Sequence, residues 1–87
     1  MRYRINRTDT GAKALQAYAD SIGFVRHSDG GAIDDYLAIG RRIAAVEYKS
    51  KGGTLTPSQQ RIIAKGFPVV FISTTEQLDA LKQELSR

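Results

Sequence analysis

The chain has no cysteine. Disulfides and cysteine-based zinc sites are therefore excluded, which suits a reducing compartment such as the cytoplasm. It has one histidine, His27, too few for a multi-histidine metal site. No apolar run approaches the length of a membrane span, and no basic-then-apolar leader opens the chain, so neither a membrane partner nor a signal peptide is expected. Repeats, low-complexity tracts and linker-like segments are absent. Gly30 and Gly31 are adjacent, but no G-x-G-x-x-G opens a helix, which removes a dinucleotide fingerprint.

What is there is a basic chain of 87 residues with a net charge of +4. That length predicts one domain over residues 1–87. A domain this small buries only roughly 60–65% of the surface of its unfolded chain, so its core is thin and a partner subunit would cover more. The basic residues gather at Arg2, Arg4 and Arg7, at Arg41 and Arg42, and at Lys49, Lys51, Arg61 and Lys65. Such a surface suits a polyanion.

The hydrophobic pattern predicts an element order α-β-β-β-α-β-α. Residues 1–8 read as an arm, with a short strand at Tyr3 to Ile5. Thr8 or Thr10 would cap a helix whose inner face is Ala14, Leu15, Tyr18, Ala19 and Ile22, ended by Gly23. "FVRH" reads as a short strand and "SDGG" as a turn. "IDDYLAI" and "RIAAVEYK" are strand-like runs joined tightly at Gly40-Arg41, a β-hairpin pattern. "TPSQQRIIAKG" reads as a helix capped by Thr56, with Pro57 in its first turn and Gly66 as its stop. "PVVFIS" is apolar throughout and reads as a strand buried on both faces. Thr74 or Thr75 would cap a last helix with Leu78, Leu81 and Leu85 turned inward. Three strands, then a helix crossing to a fourth, predict an α/β fold with a mixed four-stranded sheet.

The stretch "AAVEYKSKGG" carries the chemistry. With Gly40 and Arg41 at the hairpin tip, Ile39 pairs with Arg42, and Asp34 falls opposite Glu47. Directly opposed residues share a face, and Lys49, two residues on from Glu47, shares it too. A slip of one residue would bring in Asp35 instead. Two carboxylates suit a hard divalent cation, and a neighbouring ammonium would neutralise charge on a phosphate. The plainer alternative is a surface hairpin with a weak Glu47–Lys49 ion pair.

Read in order, "GFVRHSDGGAID", "GRRIAAVEYKSKGGTLTPSQQ" and "GFPVVFISTTEQLDAL" resemble a VRR-NUC domain, the virus-type replication-repair nuclease of the PD-(D/E)XK superfamily. The resemblance runs from about residue 10 to residue 85. It matches a Gly three positions before an Asp (Gly31 to Asp34), E-x-K (Glu47 and Lys49), a loop leading to a helix with Gln one turn in (Gln59), and the segment from Gly66 to Glu76. It implies a restriction-endonuclease-like αβββαβ core with a C-terminal helix, and a Mg²⁺- or Mn²⁺-dependent endonuclease acting on DNA.

By the same resemblance, Asp34 and Glu47 would hold the metal, with the backbone carbonyl of Tyr48 as a third ligand and Asp35 as an alternative to Asp34. Lys49 would orient or activate the attacking water. Gln59 would hold the water, a phosphate or Lys49. Arg26, Arg41, Arg42, Lys51 and Arg61 are the expected phosphate contacts. Branched or junction DNA, a homodimer, and a bacterial or phage-infected cytoplasm follow from the same source. The sequence departs from the pattern at Ile33, where Pro or Ser is usual, and at Asp35, where an apolar residue is. It departs again at Ala12: the family's Glu stands four residues before a Gln, here Gln16. The missing acid favours a competing expectation, a nuclease fold that binds nucleic acid without cutting it.

Overall fold

The computed structural model describes residues 7–49 and 55–87. The expected strand at Tyr3 to Ile5 and the loop cation Lys51 lie outside them. The element order is α1 (Arg7–Ser21), β1 (Val25–His27), β2 (Asp35–Ile39), β3 (Arg42–Tyr48), α2 (Pro57–Ala64), β4 (Val69–Ile72) and α3 (Thr75–Leu85). The four strands form one sheet in the order β1-β2-β3-β4. β1, β2 and β3 are antiparallel neighbours, and β4 lies parallel to β3. A mixed sheet is what this chain order requires, because parallel neighbours need a crossover and α2 supplies it.

α1 already runs from Arg7, so Thr8 and Thr10, expected to stand before the helix as caps, lie within it. Its end follows the expectation. Gly23 has φ 104, and the Phe24 and Gly23 N–H groups donate to the carbonyls of Ala19 (3.1 Å) and Asp20 (3.2 Å). This pair of bonds is the Schellman arrangement, with Phe24 packed back toward Ala19 in the core. Lys82 on α3 adds a charge at the same end by donating to the Ile22 carbonyl at 2.6 Å.

The hairpin between β2 and β3 turns at Gly40, where φ is 59. Glycine enters that left-handed region without a Cβ penalty. Ile39 pairs with Arg42 and Asp35 with Val46, the register expected from a two-residue turn. Alternation then divides the sheet. Leu37, Val46, Tyr48 and Ile72 join Leu15, Ala19 and Phe24 and the α3 leucines Leu78 and Leu81 in one core. Asp34, Tyr36, Ala45 and Glu47 fall on the opposite side, where α2 lies.

β4 is not buried on both faces. Only Ile72 is fully buried, while Val69, Val70 and Phe71 are half-buried. The reason is topological: β4 is the sheet's edge, covered by α3 on one face and incompletely on the other.

Both later helices begin with a full capping box: Thr56 with Gln59, and Thr74 with Gln77. Thr74, not Thr75, is the cap of α3. Replacing Thr74 by Ala should cost about 1 kcal/mol, seen as a lower urea midpoint with unchanged slope. A loss of several kcal/mol would mean that Thr74 does more than cap. Among the described residues, no helix is long and apolar enough to cross a membrane.

Candidate functional site

The β2–β3 ladder ends one residue short of the acidic pair, and side chains take over its last backbone donors. The Asp34 N–H donates to Glu47 Oε2 at 2.7 Å, and the Tyr48 N–H donates to Asp34 Oδ2 at 2.9 Å. These reciprocal bonds satisfy the strand-end N–H groups and fix both carboxylates at one spot. The other Glu47 oxygen, Oε1, accepts from Gln59 Nε2. Gln59 is itself locked, because its Oε1 accepts from the Thr56 N–H at 3.0 Å in the capping box. The opening turn of α2 thus sets the position of Glu47.

Asp34, Glu47, Lys49 and Gln59 line one cleft of about 450 Å³, together with Ala12, Gln16, Ser28 and Tyr48. Lys49 sits just past β3 with its backbone anchored on both sides. Its N–H donates to the Ile72 carbonyl at 3.0 Å, and its carbonyl accepts from Ser73 Oγ at 2.6 Å. Glu47 is 1% exposed while Asp34 is exposed to solvent, so the cleft has a buried acid at its floor and an open one at its rim.

Burial first, and the Asp34 charge second, push the Glu47 carboxyl up to about 7, with Lys49 pulling the other way. With no cation bound, the folded chain therefore holds this proton more tightly than the unfolded chain, whose value is 4.5. The sign follows: this contribution to stability is complete below the unfolded value and is lost as pH rises through about 7. In chelator, stability should fall by on the order of 2 kcal/mol between about pH 5 and 8, and Glu47→Gln should flatten the slope. Urea titrations at several pH values check this; an equal slope in the variant would refute it.

Asp35 belongs elsewhere. It is 0% exposed, on the core side of the sheet, and its Oδ2 accepts from the Tyr48 hydroxyl at 2.7 Å, from Gln16 Nε2 at 3.0 Å and from Arg26 Nη1 at 3.5 Å. Asp35 Oδ1 is buried without a hydrogen-bond partner. Burial, then the bond to Asp35, hold the Tyr48 phenol in its neutral form far above its ordinary range. Only Asp34 of the two aspartates shares the cleft with Glu47.

The cations divide. Arg26 is engaged by acids: its Nε and Nη2 donate to Asp20 at 2.9 and 3.1 Å, and it also reaches Asp35. That pairing holds the Asp20 carboxyl below its usual range. Arg41 and Arg42 are exposed at the hairpin tip, about 20 Å along the strands from the acids at the rise of a β-strand. Arg61 is exposed on α2, with Nη2 3.3 Å from Ser58 Oγ. Lys51 lies outside the described residues.

Ser28 and the Tyr48 phenol were not singled out as cleft or network groups from the sequence, whereas Ala12, the position of the missing acid, does line the cleft. The β1–β2 pairing ends at His27 with Tyr36, and the next residue, Ser28, reaches the cleft, a signal unreadable without knowing the length of the loop. Among the described residues, no three histidine, cysteine or carboxylate groups gather as a metal cluster; Asp34 and Glu47 form a pair. Their chemistry nonetheless fits a hard cation: two oxygen donors are fixed side by side, one of them buried with its carboxyl pushed up by burial and by the Asp34 charge. Comparison of the chain with models of known protein families, with curated proteins and with solved structures gave no significant match.

Proposed function

We propose that the chain is a divalent-metal-dependent endonuclease that hydrolyses DNA phosphodiesters, in line with its resemblance to VRR-NUC domains. The supporting observation is the convergence of Asp34, Glu47, Lys49 and Gln59 on one cleft at the end of β3. Asp34 and Glu47 would hold Mg²⁺ or Mn²⁺, which when bound supplies Lewis-acid stabilisation of phosphoryl charge and lowers the pKa of water. Lys49 orients the attacking water and opposes the charge that gathers on the phosphoryl oxygens. Gln59 acts through Glu47, holding its carboxylate in place rather than touching phosphate. Water attacks phosphorus in line, the bond to the 3′ oxygen breaks, and that oxygen takes a proton. The products are 5′-phosphate and 3′-hydroxyl ends.

A homodimer would present two such clefts to branched DNA, and Ile43, 66% exposed on β3, is apolar surface available for that contact. A second reading, a nucleic-acid-binding module without cutting, draws on Ala12: it lines the cleft where the family's further acid would stand, leaving two carboxylates. Labelled duplex, flap and four-way-junction DNA, incubated with Mg²⁺, Mn²⁺ or chelator, separates the readings. Metal-dependent cutting is expected; binding in every condition without cutting selects the module.

A further inference from the structure

The sheet face that carries Asp34 and Glu47 continues into a second depression. Two residues along each strand from the acids are Tyr36 and Ala45, which pair directly. One turn on from Gln59 along α2 is Ile62. α2 joins two parallel strands and so runs back against β3; β2 and α2 therefore both lead away from the cleft, while β3 runs toward it. Here β2 with the turn before it, α2 and the turn into β4 border an open groove of about 510 Å³ lined by Ile33, Tyr36, Ile62, Lys65, Phe67 and Pro68. It begins about 7 Å from the acids, two residues at the strand rise, a distance that one nucleotide spans.

The groove has the features of a stacking site. Its walls are apolar. Phe67 is 44% exposed, an unusual setting for a phenylalanine, and the second aromatic, Tyr36, is a half-buried lining residue. Lys65 stands at its rim, and Arg61, four residues earlier on α2, lies on the same helix edge. Its one carboxylate, Asp29, accepts from the Gly31 N–H at 2.9 Å. Cations at the rim of an apolar, aromatic groove complement a polyanion that carries flat bases better than they complement an apolar peptide.

We propose that this groove seats an unpaired nucleobase of the strand whose phosphate occupies the cleft, so that the protein acts on single-stranded or frayed nucleic acid. A base held in a duplex stack would not reach it. The inference rests on the nuclease reading for the identity of the polyanion, and its test separates the two.

The chain has no tryptophan, so Phe67→Trp introduces a single indole at the groove, excited selectively at wavelengths where the chain's tyrosines do not absorb. In chelator, a short oligothymidylate should quench it, while an abasic strand of equal length should bind without quenching. Phe67→Ala should weaken the base-bearing strand about tenfold and leave the abasic strand unchanged. Lys65→Ala should weaken both alike and lower the salt slope by about one. Equal quenching by both strands, or equal effects of Phe67→Ala on both, overturns the proposal. So does a Phe67→Ala variant that dissociates a dimer while its affinity for the strand is unchanged, since a second copy then fills the groove. Wild-type cutting without base-dependent effects at Phe67 removes the groove and keeps the nuclease. Base-dependent effects without metal-dependent cutting do the reverse.

Discussion

Replacing Lys49 by Ala should lower the single-turnover rate of DNA cleavage by about 10²–10⁴, the range lost when one positioned proton donor or charge stabiliser is removed. Affinity for DNA in chelator should change little, because Lys49 is one cation among thirteen Lys and Arg residues. The fold should survive: Lys49 is half-exposed, and its anchoring to Ile72 and Ser73 uses its backbone. Lys49→Arg divides the possible roles. If the ammonium serves by its charge, Arg restores part of the rate; if it passes a proton, Arg restores none, because guanidinium does not release one. Cleavage by Lys49→Ala at the wild-type rate would refute the assignment of the site.

Replacing Asp35 by Ala should be strongly destabilising, at about 2–4 kcal/mol. Oδ2 of this buried carboxylate receives the Tyr48 hydroxyl, Gln16 and Arg26, so truncation leaves a buried phenol and an amide without their acceptor. Arg26 is affected less, since Asp20 still holds it. A chain of this size has on the order of 5–10 kcal/mol in total, so the loss should show as a large drop in urea midpoint. Asp35→Asn keeps the shape and should cost less. It also separates support from ligation: Asp35→Asn should keep Mg²⁺-dependent activity below its melting temperature, and Asp34→Asn should lose it. The opposite result would make Asp35 the ligand.

The hairpin was legible because three signals agreed: alternation in both runs, a glycine at the tip and a two-residue turn. They fixed the register, and the register placed Asp34 opposite Glu47. The choice between Asp34 and Asp35 depended on that parity alone, so a one-residue error would have exchanged the two roles. The start of α1 was misread because Thr8 and Thr10 are good caps by type, and propensity does not distinguish a helix's first threonine from one inside it. β4 was misread as doubly buried because a continuous apolar run looks the same at the edge of a sheet as at its centre. The pairing of Arg26 with Asp20 and Asp35 was not foreseen, since it depends on the short strand β1 and its place beside β2, which composition does not encode. Gln59 was read as facing the site, but the partner it meets there, Glu47, follows only from how α2 returns over the sheet.

The doubly engaged amide of Gln59 makes α2 a sensor of the cleft. Capping boxes ordinarily accept Gln or Glu at this position alike, but here the nitrogen end must donate to a carboxylate. Glu would keep the helix-side bond and set two anions face to face. Protonating Glu47, or drawing it toward a cation, changes the acceptor on which Gln59 leans, and the first turn of α2 feels the change through the Thr56 N–H. Amide hydrogen exchange in that turn thus becomes a remote indicator of what the acids hold, readable without following any reaction.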